Sequence, residues 1–177
     1  MDPGWNNISV EIGRGLAFSG AAFAFALGGC GSARGIATAA QQAAGVLREK
    51  PDLFGQLLVM IALPGTQGFY GFIIAFMMAN SAGLIKHTVQ ISPSTGLALF
   101  FVGLGAGLVQ FVSALYQGEA SAAGISLVAR RPEESGRAIL FPALVETYAV
   151  VALLAAILFI FWLTNPGVLE FLKPAAA

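Results

Sequence analysis

From Ala138 to Leu163 the chain is apolar throughout except for one charged side chain, Glu146. The nearest charges on either side are Arg137 and Glu170. As a helix this stretch is roughly 39 Å long at about 1.5 Å per residue, enough to cross the ~30 Å hydrocarbon core of a bilayer. A fold that contains it must bury it wholly in protein or give it lipid as solvent. Composition decides between the two. Of 177 residues, 57% are hydrophobic and 10% charged, with mean hydropathy +0.80, whereas soluble domains carry about 25% charged residues. A water-soluble protein of this size has no interior large enough for so much apolar surface. Lipid is therefore the solvent, and a carboxylate far inside a membrane span is by default a functional hypothesis.

Four apolar segments emerge, about 11–47, 53–80, 96–129 and 134–163, each longer than the ~20 residues a bilayer requires. The breaks carry charge or turn chemistry: Arg48-Glu49-Lys50-Pro51-Asp52, then Lys86-His87 through Ser92-Pro93-Ser94, then Arg130-Arg131-Pro132-Glu133-Glu134. The expected fold is an all-α membrane protein of four transmembrane helices in two tandem hairpins. Its divisions are a polar N-terminus 1–10, a first hairpin 11–80, a loop 81–95, a second hairpin 96–163 and a tail 164–177. The first and third segments are long enough to project beyond the hydrocarbon. Met1 to Val10 hold Asp2 and no positive stretch, so no cleavable signal is expected and the first segment stays as an anchor. A formal charge of zero argues against a nucleic-acid partner. Cys30 is the single cysteine and reads as a small packing residue.

Arg48, Lys50, Arg130, Arg131 and Arg137 cluster at the first and third breaks, whereas the middle loop offers Lys86 and His87. The positive-inside rule puts the loops near 48–52 and 130–134 in the cytoplasm and both termini outside, with Trp5 and Trp162 at the outer interface. His87 reads as a solvated loop residue. The halves repeat: setting Pro51 on Pro132 pairs Gly55 with Gly136, Ala62 with Ala143, Leu63 with Leu144 and Thr66 with Thr147. Glu146 then stands opposite Gly65, so the carboxylate exists in the second hairpin only. The odd segments are rich in small residues, including the pairs Gly31/Gly35 and Gly103/Gly107, which permit close helix approach.

Counting from Pro51 and Pro132 puts Thr66, Gln67, Gln117 and Glu146 roughly 21–24 Å from their loops at about 1.5 Å per residue. Four oxygen-bearing side chains from three helices thus share one level. Leu63-Pro64-Gly65 interrupts the second helix there, because Pro64 has no N–H and crowds the preceding turn. Under-satisfied carbonyls near Leu63 are free to face a ligand. Tyr70 shares the face of Thr66 and Gln67 and is positioned to donate to Glu146. A proton carrier needs the carboxylate alone, whereas a dehydrated alkali cation needs several oxygens. Glu146, Gln117, Thr66, Gln67 and a carbonyl near Leu63 supply them, which favours Na+ over H+. Interhelical hydrogen bonding without an ion is the plainer use of Thr66, Gln67 and Gln117. Arg34 and Glu119, both deep in the glycine-rich helices, are expected to pair or to snorkel toward a shared interior. Glu119 lies about 200° around the helix from Gln117 and should stay out of the site.

Leu63-Pro64-Gly65-Thr66-Gln67-Gly68-Phe69-Tyr70-Gly71, Tyr116-Gln117-Gly118, Val145-Glu146-Thr147-Tyr148-Ala149 and Gly31-Ser32-Ala33-Arg34-Gly35 together resemble the proteolipid (K or c) subunit of bacterial V-type rotary ATPases, over nearly the whole chain. The resemblance implies a non-catalytic membrane subunit that assembles with identical copies into a rotor ring, first and third helices forming the inner wall. It implies that Glu146 carries Na+ (alternatively H+), that Thr66, Gln67, Gln117 and the Leu63 carbonyl complete the ion site, and that Tyr70 is hydrogen-bonded to Glu146. The implied partners are lipid, a stator membrane subunit bearing a positive side chain, and central shaft subunits at the cytoplasmic loops. ATP hydrolysis belongs to a separate head, in keeping with a chain that has no Gly-Lys-Thr/Ser phosphate loop. The departures are a longer polar N-terminus, the Asn165-Pro166 tail and Glu119 beside Gly118. A tetraspan scaffold or membrane enzyme with a structural glutamate is the reading from a different class. A scaffold does not require four polar groups at one level, and an enzyme requires a nucleophile, metal ligands or cofactor contacts.

Overall fold

The computed structural model describes residues 7–83 and 90–171, and every regular element in them is helical. Lys86, His87, Trp5 and the tail beyond 171 lie outside the described residues. The first span is one helix, α1 (Asn7–Leu47), which starts inside the stretch expected to be a polar N-terminus. The second is broken into α2 (Phe54–Ala62) and α3 (Thr66–Ser81) by a 3₁₀ turn at Leu63–Gly65. The third is α4 (Pro93–Arg130). The fourth opens with α5 (Ser135–Ala138) and continues as α6 (Leu140–Leu163), followed by the short α7 (Pro166–Phe171). Four stretches are long and apolar enough to cross a membrane: Ile8–Leu47, Pro51–Ser81, Pro93–Arg130 and Pro132–Leu163.

Local chemistry sets the boundaries. Ser92 caps α4, its hydroxyl accepting from the Thr95 N–H at 3.0 Å, with Pro93 at the first helical position, where a missing N–H costs nothing. Asn165 caps α7 in the same way through the Gly167 N–H at 2.9 Å, again ahead of a proline. Gly83, at φ 62°, supplies the left-handed residue that closes α3. At the other end of the bundle the Lys50 ammonium donates to the Ala129 carbonyl at 2.6 Å. That contact brings both arginine-bearing loops to one end and places a cation on the carbonyl end of α4.

Glycine dictates how α1 and α4 pack. Gly13 meets Gly96, Gly20 meets Gly103, Ala24 meets Gly107 and Gly35 meets Gly118, at one constant displacement along the chain. Constant displacement means the helices run parallel, backbone against backbone. A Cβ on Gly31 would come 2.7 Å from the Phe111 Cα, and one on Gly118 would come 2.6 Å from the Gly35 Cα. No side chain fits there, and that closeness is the reason for the small residues. The Gly31/Gly35 and Gly103/Gly107 pairs thus join the two long helices of a single chain. The displacement between these helices is slightly longer than that between Pro51 and Pro132, so the glycine-rich and bulky helices repeat a little out of step.

Helices α3 and α6 lie beside this pair, α3 against α1 and α6 against α4, and they also touch each other. Two apolar clusters fill the space between the four. One, toward the N-terminal ends of α1 and α4, holds Ile74, Met78, Leu99 and Ile160, and the other, toward the arginine loops, holds Leu57, Met60, Ile125 and Val128. Between them lies a polar layer, where Gln67, Gln110 and Gln117 are fully buried. Outward, Phe69, Leu144, Tyr148 and Leu158 are each more than two-thirds exposed, as expected of surfaces that meet lipid or further protein.

Candidate functional site

The site forms where the break in the second span meets α4 and α6. Pro64 has no N–H, so the carbonyl of Met60 loses its usual helical donor and the chain tightens into a 3₁₀ turn. The Leu63 carbonyl accepts from both the Thr66 N–H and the Thr66 hydroxyl, the latter at 3.1 Å. Restarting the helix at Thr66 leaves early N–H groups without partners. Ser32 of α1 supplies one, its buried hydroxyl accepting from the Gly68 N–H at 2.8 Å. The break is therefore held open from the neighbouring helix. Gly68 permits the approach, since its own Cβ would sit 3.3 Å from the Ser32 oxygen.

Gln67, the next residue of α3, is fully buried and donates through Nε2 to Gln117 Oε1 at 2.5 Å and to Ser113 Oγ at 3.3 Å. The Gln117 amide nitrogen turns to α6, donating to the Pro142 carbonyl at 3.0 Å and to Glu146 Oε2 at 3.3 Å. The other carboxylate oxygen, Oε1, accepts from the Tyr70 hydroxyl at 2.5 Å. Glu146 is thus gripped from α3 and α4 at once while remaining partly accessible. The Thr66 hydroxyl lies 3.4 Å from Gln67 Oε1. The oxygens of Leu63, Thr66 and Gln67 consequently form a small group on the α3 side, reaching Glu146 through the Gln67–Gln117 amide pair. Polar contacts link Leu63, Thr66, Gln67, Gln117, Glu146 and Tyr70 into one connected group. Thr66 itself makes no direct hydrogen bond to Gln117 or Glu146.

Three contributors escape a reading of the sequence by depth alone. Ser113 bridges Gln67 to the Val145 carbonyl, donating at 3.3 Å. Gln110 donates to the Ala149 carbonyl at 2.9 Å, one turn further from the loops. Their signal was present in the spacing, for Gln110, Ser113 and Gln117 recur at helical intervals along one face of α4. Ser32 carried no such signal, because its partner is a backbone N–H exposed only by the break.

The Arg34–Glu119 expectation needs correction. No ion pair joins them among the described residues, and both side chains are exposed. The Gly35–Gly118 contact explains this. Successive helical residues turn by about 100°, so Gln117 swings from that contact toward α3 and α6 while Arg34 and Glu119 swing to the opposite side. They do share a side, but it is the outer surface of the chain and not an interior. The expectation that Glu119 stands apart from Gln117 holds: Gln117 is buried and Glu119 is not.

The family of ATP synthase C subunits matches residues 19–78 and again residues 96–159, one match per hairpin. The chain belongs to that family. The double match also accounts for the internal repeat, since each hairpin by itself has the family pattern. V-type sodium ATPase subunit K of Enterococcus hirae is 36% identical over 148 residues, covering 82% of this chain and 92% of that protein. A-type ATP synthase subunit K of Methanocaldococcus jannaschii is 41% identical over 139 residues, 78% of this chain and 59% of that protein. V-type proton ATPase 16 kDa proteolipid subunit of Chrysotila carterae is 34% identical over 92 residues, 51% of this chain and 56% of that protein. The chain is accordingly a proteolipid subunit of the V/A type, a membrane component and not the catalytic part of an ATPase. With its four long apolar helices, that membership makes it a multi-pass membrane protein.

Proposed function

We propose that this subunit is one segment of a homo-oligomeric rotor ring and that it carries Na+ on Glu146. The observation that supports this reading is the grip on the Glu146 carboxylate, with Tyr70 on one oxygen and Gln117 on the other, beside a helix break lined by the oxygens of Leu63, Thr66 and Gln67. A bare carboxylate facing lipid costs several kcal/mol. A bound cation removes most of that cost by cancelling the charge, so the occupied subunit can pass through the bilayer and the empty one cannot. The residues suit Na+ as cargo: one anionic oxygen sets the charge, and neutral amide, hydroxyl and carbonyl oxygens replace water. Gln117 holds the carboxylate by its amide nitrogen, and rotation of that amide offers its oxygen to an arriving ion instead. Tyr70 has no equivalent second role and fixes the carboxylate orientation in both states.

The proposed cycle needs two partners that this chain does not supply. A stator membrane subunit displaces the ion from Glu146 and admits the next, and shaft subunits bind the cytoplasmic loops and transmit rotation to the ATP-hydrolysing head. The loops near 48–52 and 130–134 face the cytoplasm and the termini face outward, on the charge asymmetry between the loops. On this reading the working units of the chain are two hairpins, 11–80 without a carboxylate and 96–163 with Glu146. The name of the E. hirae relative, a sodium ATPase subunit, favours Na+ as the cargo.

Carbodiimide labelling of Glu146 in native membranes tests the proposal. Na+ should slow labelling in a saturable way at fixed pH. Labelling that responds to pH and is indifferent to Na+ identifies a proton carrier instead.

A further inference from the structure

Arg34 and Glu119 are charges that the ion site does not use. Both are exposed, yet each lies well inside an apolar span. Arg34 directly precedes Gly35 and Glu119 directly follows Gly118, and those glycines touch. In two parallel helices, stepping back one residue on the first and forward one on the second rotates both side chains to the same side, about 100° from the contact. That side is opposite the one taken by Gln117, so in a ring it is the inner wall. The two lie within a few ångströms of the same level, because α1 and α4 pack level with one another along their whole length.

An unpaired charge in this position is expensive, and within one chain no ion pair forms between them. The flanks of the two helices point to the second partner. The exposed flank of α4 presents Val109 (40% exposed) and Tyr116 (59% exposed), which border an apolar groove, whereas the exposed flank of α1 presents Ala26 and Ala33. A bulky flank and a flat one are complementary in shape, and each lies on the far side of its helix from the α1–α4 contact. Closing a ring brings the α4 flank of one copy onto the α1 flank of the next. Glu119 sits at the inner edge of the first and Arg34 at the inner edge of the second.

We infer that Glu119 of one copy pairs with Arg34 of the adjacent copy, giving a belt of alternating charge on the inner wall behind the Glu146 level. The inference rests on the proposed ring and names the contact that sets the register between copies. The partner is a second copy of this chain, recognised by opposite charge at matched depth. Because the belt stands opposite the ion site, it serves assembly and not ion binding.

Charge reversal and cross-linking test it in full-length protein in membranes. In a Cys30→Ala background, Arg34→Cys with Glu119→Cys should give a ladder of dimers, trimers and higher species when treated with a thiol cross-linker of about 8 Å span, a length matched to neighbouring helices 8–10 Å apart. Arg34→Glu alone, and Glu119→Arg alone, should each lower the fraction of intact rings after detergent challenge about tenfold, because each sets two like charges against one another at every junction between copies. Arg34→Glu combined with Glu119→Arg should recover it to within about twofold, the signature of direct coupling. Cross-links confined to single chains, or a double variant no better than its parents, overturn the pairing and leave the ring standing. A wild-type chain that never runs as a ring overturns the rotor reading and the pairing together.

Discussion

Removing the Gln117 side chain separates an ion ligand from a packing residue. Gln117 is fully buried and makes three hydrogen bonds, accepting from Gln67 and donating to the Pro142 carbonyl and to Glu146. In Gln117→Ala the bonds to Gln67 and Pro142 are neutral and each contributes about 1 kcal/mol, a structural loss that the apolar clusters on either side can absorb. The bond to the carboxylate differs, since hydrogen bonds to charged groups contribute about 1.5–3 kcal/mol. In the ion-holding state the turned amide exchanges that bond for a contact of its oxygen to Na+, of the same order, and losing this contact weakens Na+ binding about 10- to 150-fold, because each 1.4 kcal/mol is tenfold. The assay is the Na+ concentration that half-protects Glu146 from carbodiimide in membranes. It should rise by that factor while the ring remains intact on a detergent gel. Gln110→Ala supplies the control, because Gln110 bonds the Ala149 carbonyl and makes no hydrogen bond to Glu146, so its half-protection point should stay within about twofold. An unchanged midpoint in Gln117→Ala with an intact ring refutes the argument that Gln117 takes part in holding the ion.

Glu146→Gln should abolish coupled ion transport in reconstituted vesicles while ring assembly persists, because the amide keeps the volume and loses the charge. Tyr70→Phe removes the donor on Glu146 Oε1 and should raise the half-protecting Na+ concentration about tenfold or more, read in the same labelling assay. Ser32→Ala deprives the Gly68 N–H of its acceptor and should lower thermal stability of the solubilised protein by about 1–3 kcal/mol, with faster hydrogen exchange at residues 66–70 reporting where. Gly103→Leu forces a side chain into the Gly20 backbone and should prevent the hairpins from packing, seen as loss of the assembled species rather than as a shift in ion affinity.

The sequence by itself determined the solvent, the number of spans and the depth of the polar groups. Long apolar runs can satisfy their backbone in lipid only as helices, so four runs meant four helices, and counting from Pro51 and Pro132 was enough to put Thr66, Gln67, Gln117 and Glu146 at one level. Depth is a one-dimensional quantity, and a rise of about 1.5 Å per residue fixes it without knowledge of neighbours. What faces what is a matter of rotation and partner, and tertiary packing decided it. The Gly35–Gly118 contact turned Gln117 inward and Arg34 and Glu119 outward, so two charges expected to share an interior lie instead on the surface. The close approach of α1 to α3 at Gly28 and Gly71 let Ser32 reach an N–H on another span, a partner no local pattern could announce. Helix rotation is set by which small residues let backbones touch, and that becomes definite only when both surfaces are present.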